Sequence, residues 1–89
     1  MSTASKILLV DDDEELREQL REQLSLYDEF EVGCAGTAAK GIEAAKAAPY
    51  QLVVLDVGLP DMDGREACKM MRKSGIKVPI IMLTGHASD

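Results

Sequence analysis

Hydrophobic positions along the chain fall into two alternating kinds of segment, short solid runs and longer spaced stripes. The first run, Lys6-Ile-Leu-Leu-Val10, stops abruptly at three aspartates, Asp11 to Asp13. A run with no polar alternation predicts a strand buried on both faces that ends at the rim of its sheet. Leu16, Leu20 and Leu24 then recur every fourth residue among Glu, Arg and Gln. One apolar stripe on a polar background predicts a solvated helix from about Glu14 to Leu26. Phe30 to Ala35 is β-branched and aromatic enough for a second strand, and Gly36-Thr37 offers a turn and an N-cap. Ala38 to Ala47 reads as a second helix with Ala38, Ile42 and Ala45 on one face, stopped by Pro49.

Leu52-Val-Val-Leu55 predicts a central strand, and it too ends in an aspartate, Asp56. Val57 to Asp63 contains Gly, Pro and two further aspartates and is expected to be a loop. Ala67, Met70 and Met71 then mark the face of a third helix ending near Ser74-Gly75. Pro79 opens a fourth strand, Ile80 to Leu83. Strands and helices therefore alternate with short connections, which implies an α/β fold: a doubly wound parallel sheet with right-handed crossovers and helices on both faces.

Composition bounds what such a sheet can do. The 89 residues leave room for one core, and 46% hydrophobic with 29% charged is ordinary for a globular fold. Ten Lys and Arg against 16 Asp and Glu give a formal charge of −6, which opposes a phosphate backbone, so no direct nucleic-acid binding by this segment is expected. No stretch resembles a signal peptide or reaches membrane-spanning length, so a cytoplasmic location without membrane attachment is expected. Cys34 and Cys68 lack metal-site spacing and are read as free thiols packed as small core residues.

The chemistry sits where strands end. In open α/β sheets the ligand site lies beyond the carboxyl ends of the strands, at the reversal of strand order. If the strand order is 2-1-3-4, the first and third strands are neighbours and Asp11, Asp12 and Asp56 converge. Two unit charges about 4 Å apart repel by roughly 4 kcal/mol at an effective dielectric near 20; a cation among them is required. Carboxylate oxygens without histidine or thiolate suit a magnesium-like ion rather than zinc or copper. Helix capping alone needs one aspartate of the triplet, plausibly Asp13.

Asp61-Met-Asp63-Gly64 has the look of the middle of a calcium-binding EF-hand loop. With Gly64 as the invariant glycine, however, Leu59 and Met70 fall where ligands are required. Loop and helix-start roles are the better account of Asp61 and Asp63. Thr84-Gly85 ends the fourth strand at the acidic rim, where a hydroxyl can donate to an oxyanion.

These segments, Ile7-Leu-Leu-Val-Asp-Asp-Asp13, Leu52-Val-Val-Leu-Asp56, Leu59-Pro-Asp-Met-Asp-Gly64 and Pro79-Ile-Ile-Met-Leu-Thr84, resemble the receiver domain of bacterial two-component response regulators, in that family's order and spacing. The resemblance implies a flavodoxin-like sheet of order 2-1-3-4 and a role in phosphorelay signal transduction. It implies that Asp56 is the phosphoacceptor and Thr84 the switch hydroxyl. Asp12, Asp56 and the main-chain carbonyl of Gly58 would ligate Mg2+ directly, with Asp11 acting through water. The donor would be a sensor histidine kinase or phosphotransfer protein, and the output plausibly DNA binding and transcription regulation outside this chain. Such a domain is not an enzyme in the ordinary sense, since it catalyses only its own phosphorylation and dephosphorylation.

Family members continue past the fourth strand with a helix, a fifth strand bearing a lysine, and a last helix, whereas this sequence stops at Asp89. Residues 1–89 are accordingly expected to be the N-terminal part of a single receiver domain, with the fifth strand and last two helices absent. An uncovered fourth-strand edge then favours a homodimer or element-swapped assembly. Lys77 precedes the fourth strand, at the opposite rim, and is no substitute for the lysine. Gly58 also departs from the family, which commonly carries a larger side chain there. His86, Tyr27 and Tyr50 are read as a solvated loop residue and helix-end packing. Two rivals remain open: an aspartyl-phosphate phosphatase, which needs a second aspartate where Gly58 stands, and a non-signalling interaction module.

Overall fold

The computed structural model describes residues 5–83. Within them the chain runs β1 (Ser5–Val10), α1 (Glu14–Ser25), β2 (Phe30–Ala35), α2 (Ala38–Ala47), β3 (Leu52–Asp56), α3 (Gly64–Lys73) and β4 (Ile80–Leu83). All neighbours in the sheet are parallel, in the order β2-β1-β3-β4. The doubly wound parallel sheet is the one expected from the alternation of solid runs and spaced stripes, and its order is the flavodoxin-like one that the resemblance implied. No helix among the described residues is long and apolar enough to cross a membrane.

Local chemistry sets the helix boundaries. Asp13 caps α1 by accepting from Leu16 N, Thr37 caps α2 by accepting from Lys40 N, and Asp63 caps α3 by accepting from Arg65 N. Each satisfies one of the N–H groups that a helix start leaves without an internal partner. At the far end of α3, Gly75 takes φ 93°, a conformation that favours glycine and turns the chain toward β4. Arg72 donates Nη1 to the carbonyls of Ile76 and Val78 and holds that connection.

The two faces of the sheet are unequally covered. On one face Leu8, Val10, Val53 and Leu55 are fully buried beneath α2 and α3, which contribute Ala38, Ala45, Ala67 and Met71. On the other, α1 is the only helix among the described residues, and its Leu16, Leu20 and Leu24 are half-buried. Ile7 and Leu9 are buried there, yet Ile81, which pairs beside Val54, remains 49% exposed.

Two details differ from expectation. Met70 is exposed, because the inward stripe of α3 runs Gly64, Ala67, Met71 and leaves position 70 a fraction of a turn outside it. Cys34 is exposed rather than packed, since β2 is an edge strand and Cys34 pairs beside Leu9 on the face that, among the described residues, α1 alone covers. Cys68 does pack against the core, as does Tyr50, while Tyr27 is exposed and meets Phe30 edge-on at 6.2 Å.

Candidate metal and phosphoacceptor site

Strand register brings the acidic residues together. Val10 pairs with Leu55 across β1 and β3, so the next residues, Asp11 and Asp56, leave the sheet side by side. One carboxylate oxygen from each of Asp11, Asp12 and Asp56 lies within 4.8 Å of the others. Asp56 is 2% exposed and Asp11 8% exposed, whereas Asp12 faces solvent. The third aspartate of the triplet is spent otherwise, on the α1 cap.

Asp11 is held from two sides. Its Oδ1 accepts from Asp13 N at 2.9 Å, and its carbonyl accepts from Arg17 Nη1 at 2.7 Å. Burial pushes its carboxyl above the ordinary aspartate range, and the charges of Asp56, Asp12 and Asp13 push the same way against the lowering effect of the Asp13 N–H. Asp56 Oδ1 is buried and finds no hydrogen-bond partner among the described residues. A buried carboxylate oxygen without a donor carries a penalty unless a cation or other donor meets it. The donor set, three carboxylates with an open solvent side, fits a hard divalent ion such as Mg2+.

The loop after Asp56 folds back on itself. Gly64 N donates to the Val57 carbonyl at 2.8 Å and Gly58 bridges Asp63. Gly64 lies so close to this turn that a Cβ there would stand 2.8 Å from Val57 Cα and collide with the Asp56 carbonyl, so only glycine lets α3 start there. Gly58 itself is exposed at the same rim. Leu59 is buried and Met62 packs against the core, anchoring the loop from beneath.

Of the residues singled out from the sequence, Asp11, Asp12 and Asp56 are gathered in one place and Gly58 lies in the loop immediately after them. Thr84, Gly85 and His86 lie outside the described residues. Two participants had no readable signal. Arg17 reads in sequence as one more charge on a polar helix, and Asp61 as a loop aspartate. In the structure Asp61 accepts from Ala38 N and Ala39 N at 2.8 and 2.9 Å, across 23 and 22 residues of chain. These two bonds hold its carboxyl below the usual carboxylate range.

Comparison with known proteins adds an independent line. The profile described as "Response regulator receiver domain" matches residues 7–89. "Transcriptional regulatory protein PmrA" of Pectobacterium parmentieri is 40% identical over 81 residues, covering 91% of this chain and 36% of that protein. The chain thus spans about a third of that relative's length. Among solved structures, chemotaxis protein CheY4 of Vibrio cholerae superposes with a TM-score of 0.87 at 30% identity, over 97% of this chain and 72% of that one. TrrA of Thermotoga maritima, solved in complex with Mg(2+)-BeF, gives 0.84 at 31% identity, over 93% and 71%. TrrA in complex with histidine kinase ThkA gives 0.82 at 32% identity, over 96% and 75%.

Proposed function

The chain belongs to the response regulator receiver domain family, and from that membership we propose that it accepts a phosphoryl group on Asp56 in a two-component phosphorelay, with Mg2+ held by Asp11, Asp12, Asp56 and the carbonyl of Gly58. The observation that carries this reading is the meeting of three carboxylates at the ends of β1 and β3, one of them the buried Asp56 with an unpartnered oxygen. The ion, when bound, neutralises the carboxylates and draws charge from the phosphoryl oxygens. Asp12 and Asp56 would hold the ion directly, with Asp11 acting through water.

The chemistry asks little covalent work of the protein. A carboxylate oxygen of Asp56 attacks phosphorus, the P–N bond of a donor phosphohistidine breaks, and its electron pair returns to the imidazole. Burial of Asp56 at a strand end fixes the nucleophile and restricts water around it. The donor is a sensor histidine kinase or phosphotransfer protein, a reading supported by the TrrA–ThkA complex. Thr84 serves as the switch hydroxyl drawn toward the new phosphoryl oxygens. The chain turns over no other substrate, works in the cytoplasm, and regulates an output outside residues 1–89, which form the N-terminal part of one receiver domain. The likeness to PmrA supports transcription as that output.

The half-covered sheet supports a further assignment. Ile81, on the outer strand β4, is 49% exposed among the described residues, which supports pairing with a second copy by edge association or exchange of elements. Sedimentation as a dimer is the expected outcome; a monodisperse monomer that unfolds cooperatively would refute it.

The phosphoacceptor assignment is tested by intact-protein mass spectrometry after incubation with acetyl phosphate and Mg2+. One phosphoryl adduct is expected, lost with chelator and absent from Asp56→Asn. An adduct that persists in Asp56→Asn places the chemistry elsewhere.

A further inference from the structure

We infer that Asp61 is a positioning residue for the cation site, clamping the tip of the 57–63 loop onto the N-terminus of α2 so that the Gly58 carbonyl is held in place. This rests on the reading of Gly58 as a ligand given above. Both oxygens of Asp61 are engaged, Oδ1 by Ala38 N and Oδ2 by Ala39 N. Helix α2 already has its own cap, the Thr37 hydroxyl, which takes Lys40 N at 3.1 Å. A second acidic cap supplied from the loop therefore does more than finish a helix: it ties two separate elements together.

The loop needs such a tie. Its base is closed by Gly64 N on the Val57 carbonyl and by the Gly58–Asp63 bridge, and its underside by buried Leu59. Gly58 is exposed and has no side chain to pack. Among the described residues, the only side-chain hydrogen bonds from the exposed tip to another element are those of Asp61.

What α2 offers is a fixed reference. A Cβ on Gly41 would stand 2.8 Å from both methyl carbons of Val10, so the helix lies hard against the last residue of β1, and Asp11 follows directly. The route from Asp61 through α2 and Val10 to Asp11 thus sets the loop carbonyl in register with the carboxylates on the neighbouring strand tip. Partners behind the ligands of a metal typically matter 10–100-fold in affinity, a rough scale for what the clamp contributes.

The test compares Asp61→Ala, Asp61→Asn and Thr37→Ala in the whole chain, well below the unfolding temperature of each. Mg2+ affinity is read by calorimetric titration and Gly64 N–H exchange by NMR without metal. Thr37→Ala removes a cap from the same helix without touching the loop, so it reports a merely structural effect. Expected are an affinity loss of about tenfold or more in Asp61→Ala, a smaller loss in Asp61→Asn, which keeps one acceptor, and faster Gly64 exchange in Asp61→Ala alone. Thr37→Ala should lower the melting temperature and leave affinity unchanged. Equal losses in Asp61→Ala and Thr37→Ala, or none in Asp61→Ala, would overturn the positioning role. No Mg2+ binding by the unsubstituted chain would instead overturn the ligand reading and this inference with it.

Discussion

Gly41 of α2 rests directly on Val10 of β1, with room between them for a hydrogen and nothing larger. In an exposed helix, replacing glycine by alanine stabilises by up to about 1 kcal/mol. Here the added methyl meets two buried methyl groups, and overpacking of this kind costs roughly 1–3 kcal/mol. Gly41→Ala should therefore destabilise the chain in urea unfolding, against the helix-propensity trend. Val10→Ala opens the space, so in the double variant the Gly41→Ala effect should shrink or reverse. Additive effects would mean that the close approach is not the cause.

Asp11 trades stability for cation binding. Because its carboxyl is raised above the ordinary range, folding is favoured with Asp11 protonated, and that contribution is lost as pH rises through the raised value. At neutral pH the charged group is thus a net cost. Asp11→Asn keeps an oxygen for Asp13 N but removes the charge, and without divalent ions it should melt higher, by about 4–8 °C if roughly 1 kcal/mol is recovered. Saturating Mg2+ should raise the melting temperature of the unsubstituted chain more than that of the variant. An Asp11→Asn chain that melts lower without metal would contradict the repulsion described here.

Asp63 gives the opposite pH signature. The Arg65 side chain, which bonds both its oxygens, pulls its carboxyl down to about 2, helped by the Arg65 N–H. A depressed acid stabilises the fold above its ordinary value and stops doing so as pH falls through the depressed one. Measured from about pH 4 to about pH 2, the melting-temperature advantage over Asp63→Asn should narrow toward zero. The pair is solvent-exposed, at 71% and 41% for the two side chains, so the advantage is small to begin with.

Gly58 leaves the rim beside Asp56 open. A Gly58→Met side chain should shield a phosphoryl group there from water and lengthen its lifetime several-fold after the phosphodonor is removed. An unchanged decay rate would show that access at this position does not limit hydrolysis.

Strand and helix limits were legible from the sequence: a solid apolar run places Ile80–Leu83, an apolar helical face places Ala38–Ala47, and β-branched and aromatic content places Phe30–Ala35. The meeting of Asp11, Asp12 and Asp56 was legible too, since both runs end in aspartate and strand order does the rest. Contacts set by tertiary distance were not. Nothing local separates Asp61 from any turn aspartate until the loop and α2 are placed in space, or Arg17 from its neighbours Glu18 and Arg21 until α1 is placed against the end of β1. Cys34 and Met70 went astray for a related reason, because burial depends on which face a helix covers and on a rotation smaller than one residue.

The central physical claim is that carboxylates from two adjoining strand ends hold one cation. It is tested most directly by titrating the chain with substoichiometric Mn2+, a paramagnetic stand-in for Mg2+, and following amide signals by NMR. Signals of Asp11, Asp12, Asp56 and Gly58 should broaden first and together, and recover on adding excess Mg2+, with no such pattern in Asp56→Asn. Broadening that begins elsewhere on the acidic surface, or that persists unchanged in Asp56→Asn, would contradict it.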